Sequence, residues 1–459
     1  MADAQAKHSK WVADRGEGRL ARVALRCTES IGRWLPDAFG LVVLLTFAVL
    51  VAGLFAGEPL LRRPDYPAAV TGLGLVDAWG KGFWGLTTFT LQVVMVVAGG
   101  YAVVTSRPVA GLIARLAQVP RTPRGAVVFV AVAALASSYL SWAVSLVFAA
   151  ILAKEVARNV PDADYRALGA MTMLGFRDAD RPSGLVPLAD TRLSWHGVLA
   201  TLVVFGVAVG AAWLLAPGGA NARTAADLGI DLRPLVGRGS QHNGDTRVDR
   251  RPARPGDWLE YSPVPGLLVV VLGVLYLARH GGGSLTLNTV NLAMFGLALL
   301  LHWRPWRMVR AVREGAAAVG GVLLLFPLYG GIGGMVLYTG LASRLSSCLL
   351  DAGGQVGFAP MVAVFSCVLG VLVPGGGSSW ASYVFDAANR FGADAGWAAV
   401  AHDLGVFSAF LVQPFWMLPA LALLGLKARD VMGFTVAVSG ACLAATLVVV
   451  TLLAPHVTG

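Results

Sequence analysis

The chain has 459 residues, of which 56% are hydrophobic and only 14% charged, and its mean hydropathy is +0.68. A soluble domain carries roughly a quarter charged residues, so this balance excludes an ordinary water-soluble enzyme, and a chain this apolar does not stay disordered. The net charge of +10 reads as Lys and Arg collected in cytoplasmic loops, and no nucleic-acid partner is expected because no basic stretch is interleaved with aromatics.

Residues 1–34 are polar and basic without a short apolar core, and are expected to form a cytoplasmic tail and not a signal peptide. Apolar runs then follow at 35–55, 83–105, 126–153, 197–216, 263–278, 285–301, 315–338, 360–373, 397–426 and 431–453. A membrane crossing takes roughly 20 apolar residues, and several of these runs reach it. Ala167 to Phe176 and Pro360 to Val373 are too short, and each runs into charge or glycine. Both read as broken or re-entrant pieces, which a bilayer tolerates only where protein or a water-filled cavity covers the backbone.

Loop charge sets the orientation. The N-terminal tail, the 106–124 loop, the 217–260 loop and the 302–314 loop together hold 22 of the 36 basic residues. One topology puts all four on the same side, and the positive-inside rule makes that side the cytoplasm. The 217–260 stretch is rich in Gly, Pro, Asp and Arg without periodicity, and reads as a flexible linker between a first membrane repeat at 35–216 and a second at 261–454.

The halves resemble each other faintly. Gly82 and its run to Gly99-Gly100 match Gly315 and its run to Gly333-Gly334, at an offset of 233. Ser141-Trp142-Ala143 matches Ser379-Trp380-Ala381 at 238, and Pro187-Leu188-Ala189 matches Pro419-Ala420-Leu421 at 232. The segment before Gly82 is poor in positive charge and the one before Gly315 carries four Arg, so equivalent segments enter from opposite sides. The expected fold is therefore an all-α polytopic membrane protein of two inverted-topology repeats with broken or re-entrant helices, about 10–11 transmembrane segments in all. Inverted repeats with broken helices point to a secondary transporter whose site lies near the midplane.

The sharpest local feature is Val373-Pro374-Gly375-Gly376-Gly377-Ser378-Ser379-Trp380. Proline ends a helix, three glycines let backbone approach a ligand, and the serines stand beside the free N–H groups of a new helix start, a setting that suits a carboxylate or a coupling cation. Its first-half counterpart, Ser137-Ser138-Tyr139-Leu140-Ser141-Trp142, has the serines and the tryptophan without the glycines, and reads equally as interhelical serine contacts. Ser183-Gly184 is either a second hairpin tip or a plain loop. Gln413, between helix-breaking prolines in Val412 to Pro419, either contacts substrate or satisfies freed carbonyls. His402-Asp403 is either a proton relay or a pair near the membrane surface. Arg177, Asp178, Asp180 and Arg181 form a charged mouth or a solvated turn.

Four cysteines (Cys27, Cys348, Cys367 and Cys442) make no CxxC pair, so neither a disulfide framework nor a metal centre is expected, and no cofactor beyond a coupling H+ or Na+. The apolar runs hold no HExxH and no Ser-His-Asp arrangement, so the chain is not expected to be an enzyme.

Several strings resemble the short-chain fatty acid transporter family, bacterial permeases associated with acetoacetate and butyrate use. They are GKGFW (Gly80 to Trp84), AKEVARNVPDADY (Ala153 to Tyr165), LNTVNL (Leu287 to Leu292), VPGGGSSW, and QPFWMLPAL with ARDVMGF (Gln413 to Phe434). The resemblance runs from about Trp34 to Phe434. It implies an ion-transporter-like fold, a re-entrant hairpin in each repeat, a homodimer and elevator-type movement. It further implies that Gly375, Gly376, Gly377, Ser378 and Trp380 form a substrate loop with Trp142 and Gln413 nearby. Arg177 to Arg181 stand where the family carries a glycine-rich stretch, with Ser183-Gly184 kept. The expected function is secondary transport of short monocarboxylates in the lipid of the bacterial inner membrane, N-terminus cytoplasmic. The alternatives are another small organic anion, such as a dicarboxylate or an amino-acid derivative, and a membrane protein that has lost transport.

Overall fold

In the computed structural model the described residues are 36–55, 72–139, 141–176, 193–232, 261–280, 286–316, 318–354, 357–373 and 380–454, with a few isolated positions between them. All regular structure among them is helical. The first half runs α1 (Ala38–Phe55), α2 (Gly72–Gly85), α3 (Thr87–Val104), α4 (Arg107–Leu116), α5 (Pro123–Ser138), α6 (Trp142–Asn159), α7 (Tyr165–Thr172) with a 3-10 turn (Met173–Phe176), and α8 (Trp195–Leu215). The second runs α9 (Val264–His280), α10 (Leu287–His302), α11 (Pro305–Ala316), α12 (Gly320–Tyr338), α13 (Leu341–Gly353), α14 (Phe358–Leu372), α15 (Ala381–Phe391), α16 (Ala395–Phe410), α17 (Pro414–Leu424) and α18 (Ala428–Leu453).

Helix starts follow the local chemistry. The Asp37, Ser194 and Asp394 side chains accept the backbone N–H groups of Gly40, Gly197 and Trp397 respectively, answering donors that the first helical turn leaves free. Among the described residues five helices are long and apolar enough to cross a membrane: α1, the continuous Gly74–Val104 stretch, α8, α12 and α18. The pair α16–α17 makes a sixth, bent by 51°. Helices α5, α9, α10 and α14 are apolar but shorter. The run at 126–153, continuous in hydropathy, is not one crossing: it divides after Ser138, and α5 and α6 pack against each other as a hairpin. Hydropathy cannot register that break, because serine and tyrosine interrupt an apolar run without adding charge.

The outer surface suits lipid. Helix α9 buries only Gly266, and its Leu268, Leu272 and Leu275 are exposed, a distribution costly in water and ordinary against acyl chains. Helix α11 is amphipathic, burying Met308, Ala311 and Gly315 along one stripe. This is a multi-pass membrane protein.

The halves pack reciprocally. Helix α12 lies along α2, and α11 lies along α3; α12 also meets α1, and α10 meets α3. Helices α3 and α12 touch each other, as do α8 and α18. The closeness of one crossing depends on glycine. A Cβ at Gly82 would stand 2.2 Å from the Gly330 carbonyl oxygen and 2.7 Å from the Gly334 Cα, so α2 and α12 meet backbone to backbone. At the other crossing a Cβ at Gly315 would stand 2.8 Å from the Tyr101 Cβ. Gly82 to Gly315 and Tyr101 to Gly334 are the same 233 positions apart.

The start of the linker is ordered against the first half. Asp164 accepts the backbone N–H groups of Arg166, Ala167 and Arg223, and pairs with the Arg166 guanidinium at 2.6 Å. Arg166 also reaches the Asn221 carbonyl oxygen. A buried carboxylate with this many donors is compensated, which fixes residues 221–223 to the α6–α7 turn.

Candidate functional site

The first hairpin ends in a serine lattice. The Ser137 hydroxyl donates to the Ala133 carbonyl and meets the Ser145 hydroxyl at 2.9 Å. Ser138 donates to the Leu135 carbonyl, and Ser145, across on α6, donates to the Ala134 carbonyl of α5. Carbonyls freed where α5 stops are thus answered by side chains, and two arms are tied together. Ser141 is the N-cap of α6 and accepts the Ala143 N–H. That cap places Trp142 at the first helical position, where it is buried.

The indole of Trp142 faces the second half. Its ring lies 5.5 Å from that of Trp416 on α17, 6.3 Å from Phe176 at the end of the 3-10 turn, and 6.4 Å from Phe89 on α3. Trp416 also meets Phe89 at 5.8 Å, Phe176 at 5.6 Å, Phe415 at 5.0 Å and Phe410 at 4.9 Å. Phe415 stacks on Phe326 of α12 at 3.6 Å and meets Tyr329 edge-on at 5.6 Å. Edge-to-face and offset contacts of this kind make a rigid apolar wall. It is drawn from both halves of the chain.

Inside this wall the chain breaks. Helix α16 stops at Phe410, Pro414 opens α17, and Gln413 between them is the N-cap. Pro414 cannot donate an N–H to the preceding turn, so the helix cannot continue straight through. Gln413 does not cap with its side chain, is 0% exposed, and neither its Nε2 nor its Oε1 has a hydrogen-bond partner among the described residues. Nearby, the Trp416 Nε1 and the Tyr329 hydroxyl are likewise buried without partners. A buried carboxamide unanswered at both ends costs stability, and structures retain such groups where something else answers them.

The far end of α17 is held. The Lys154 ammonium donates to the Leu423 carbonyl and the Tyr165 hydroxyl to the Leu424 carbonyl, both at 2.9 Å. Gly425 then closes the helix with φ +74°, a backbone state glycine adopts without strain. A cation at the C-terminus and free N–H groups at the N-terminus give α17 a defined polarity, positive end toward Gln413.

His402 and Trp380 form a separate group. The His402 ring, 0% exposed, shares a 2.7 Å hydrogen bond between its Nδ1 and the Ser366 hydroxyl of α14, and lies 6.2 Å from the Trp380 ring. His402 precedes the end of α16 by two turns, about 12 Å, while the far edge of the Trp380 ring lies by Gly370, which packs against Val406 and Ala409 next to Phe410. Asp403, next on α16, is half-buried. Helices α14 and α16 meet closely there: a Cβ at Gly405 would stand 2.3 Å from the Ala363 carbonyl oxygen. Gly375, Gly376, Gly377, Ser378, Ser379, Ser183 and Gly184 lie outside the described residues, as do Arg177 to Arg181.

Tyr329, Phe326, Phe176, Phe89 and Ser145 carry much of this arrangement without a local motif to mark them, and Trp416 lies within QPFWMLPAL without being singled out there. For Trp416 a signal existed: it stands at the third position after Gln413, and N-cap and N3 side chains share one side of a helix start.

The short chain fatty acid transporter family matches this sequence over residues 19–181 and 178–454. A candidate short-chain fatty acid transporter of Escherichia coli (strain K12) is 30% identical over 442 residues, covering 91% of this chain and 96% of the relative. One of Haemophilus influenzae (strain ATCC 51907 / DSM 11121 / KW20 / Rd) is 27% identical, covering 90% and 96%. A crystal structure of an Alcanivorax borkumensis transporter with an unusual topology covers 92% of this chain and 99% of its own at 15% identity and a TM-score of 0.41, a likeness too low to carry a conclusion. With both halves matched and a relative at this identity along nearly its full length, the chain belongs to the short-chain fatty acid transporter family.

Proposed function

We propose that the protein is a secondary transporter of short-chain monocarboxylates, butyrate and acetoacetate among them, across the bacterial inner membrane, coupled to H+ or Na+. The observation that carries this reading is the orphaned Gln413 carboxamide at the α16–α17 break, whose flanking residues Phe410, Phe415 and Trp416 join Trp142 and Phe176 in the ring wall. An apolar wall of rings accepts a short alkyl chain, and the Gln413 amide, with a helix N-terminus beside it and the unpartnered Trp416 Nε1 and Tyr329 hydroxyl nearby, accepts the acid end. Ser141 and Trp142 close one side. Gly375, Gly376, Gly377, Ser378, Ser379 and Trp380, with Ser183-Gly184, complete the substrate path. Among the protein's own side chains, His402, buried and bonded to Ser366, and Asp403 beside it are the candidates for ion coupling.

The reciprocal packing of α2 on α12 and α11 on α3 supports two inverted repeats related by an axis between the α3–α12 and α8–α18 contacts. The positive loops support a cytoplasmic N-terminus. A homodimer follows from the family resemblance. The test is uptake of labelled butyrate into proteoliposomes under an imposed H+ or Na+ gradient. Gradient-driven accumulation that Gln413→Leu abolishes is expected; uptake undiminished in that variant would overturn the site assignment.

A further inference from the structure

The chemistry of Gln413 carries more than a location. A carboxamide has a donor, Nε2–H, and an acceptor, Oε1, and both are buried and unanswered among the described residues. Since both are open, it is immaterial which way the amide is turned. A carboxylate answers only the donor, and sets its negative charge beside Oε1. A neutral carboxylic acid answers both: its carbonyl accepts from Nε2–H while its O–H donates to Oε1.

Among the described residues, the surroundings favour the same partner. Burying an ionised carboxylate in an apolar site is costly unless a cation pairs with it, and the cost largely vanishes for the neutral acid. Helix α17 carries no titratable side chain. On the elements packed against it, Lys154, Glu155 and Arg158 of α6 and Tyr165 and Arg166 of α7 lie toward its C-terminus. Lys154 is bonded to the Leu423 carbonyl, ten residues and about 15 Å from Gln413. Helix α12 offers Tyr329 and Tyr338, which do not become cations. Helix α18 brings Arg429 and Asp430 just after the α17 C-cap, and Cys442 deeper in. On α16, His402 and Asp403 lie two turns back from the break. The N–H groups at the start of α17 donate to an acid carbonyl as they do to an anion, more strongly to the anion, so the choice of partner falls to the Gln413 amide.

Resting on the transport reading above, we infer that Gln413 binds its substrate as the protonated acid, in a cyclic amide–acid pair, so that each substrate molecule carries its own proton. The carboxylate takes a proton from water on the entry side, R–COO− plus H+ giving R–COOH, and returns it on the exit side. No charge crosses on the protein, and coupling to the proton gradient comes with the cargo.

The experiment is equilibrium binding of labelled butyrate to the purified full-length protein across a pH series, with unlabelled butyramide as competitor. Butyramide has the donor and acceptor of the protonated acid and no titratable proton in this range. The expected result is an apparent Kd for total butyrate that weakens about tenfold per pH unit above the acid's pKa, because only the protonated fraction binds. Butyramide should displace it with an affinity that does not change with pH. That control separates substrate protonation from titration of His402, which would move both ligands together. Gln413→Leu, checked for folding by size-exclusion chromatography, should lose both ligands, and Gln413→Asn should weaken both.

A butyrate affinity flat with pH, with butyramide excluded, overturns the inference and leaves Gln413 as an anion site. If butyrate is bound by the wild type and equally by Gln413→Leu, the site reading fails and the inference with it.

Discussion

Two helix breaks inside the bundle are treated in opposite ways. Where α5 gives way to α6, Ser137, Ser138 and Ser145 answer the loosened carbonyls and one another. Where α16 gives way to α17, Gln413 is buried with nothing among the described residues answering either end of its side chain. The first break is closed by the protein's own hydrogen bonds and therefore serves architecture, holding Trp142 in place. The second is left open where Phe410, Phe415 and Trp416 of the ring wall flank it, and under the proposed function it serves a ligand. Position in the fold alone would not have distinguished them; satisfaction of the polar groups does.

The comparison can be broken most sharply at Gln413. Gln413→Leu should lower butyrate uptake on the order of 100-fold, while the melting temperature stays level or rises, since an unsatisfied buried group has been removed. A fall in stability with uptake intact would reverse the roles of the two breaks. Next in size is Gly175→Ala. A Cβ there would stand 2.2 Å from the Ser145 hydroxyl, forcing the turn that carries Phe176 off the hairpin. We expect roughly tenfold slower uptake and about 2 kcal/mol of lost stability, read by transport assay and thermal unfolding in detergent.

Ser145→Ala should act on the closed break alone. Losing its bonds to the Ala134 carbonyl and to Ser137 should cost about 1 kcal/mol, with the KM for butyrate unchanged. A shifted KM would mean the serine lattice also touches substrate. Lys154→Met should cost about 0.5 kcal/mol at the α17 C-terminus and slow uptake less than threefold, with Lys154→Arg restoring both.

The smallest effect belongs to the linker. Thr224 donates to Asp227 from its backbone and its hydroxyl, and these bonds hold the Asp227 carboxyl below its usual range. Because the folded pKa is depressed, that stabilisation is present at neutral pH. It is lost only as pH falls below the ordinary aspartate value near ~4 and through the depressed one. The protection factors of residues 224–229 against hydrogen exchange should therefore be flat near neutrality and fall only in acid.

Much of the fold was legible because the bilayer restricts the choices. Long apolar runs with no backbone alternative to helix give most spans, and Arg-rich loops give their order across the membrane. The division of 126–153 was not legible as a hairpin, since its break is made by serines that satisfy carbonyls without leaving an apolar register. The site was half legible. Gln413 stood out as an amide between prolines, and Trp142 as the partner of a serine motif. Trp416, Phe89, Phe176 and Phe326 did not, because aromatic residues in apolar helices look alike until tertiary packing sets their rings 3.6–6.4 Å apart. Trp380 illustrates the converse: its motif pairs it with Trp142, while packing sets it beside His402.

The most direct test is to locate the ligand. A crystal structure with 4-bromobutyrate, read by anomalous scattering from bromine, should place the halogen among Trp142, Phe176 and Trp416 with the acid group on Gln413. A bromine peak beside Trp380 and His402, or anywhere away from the α16–α17 break, would contradict the assignment of that break as the substrate site.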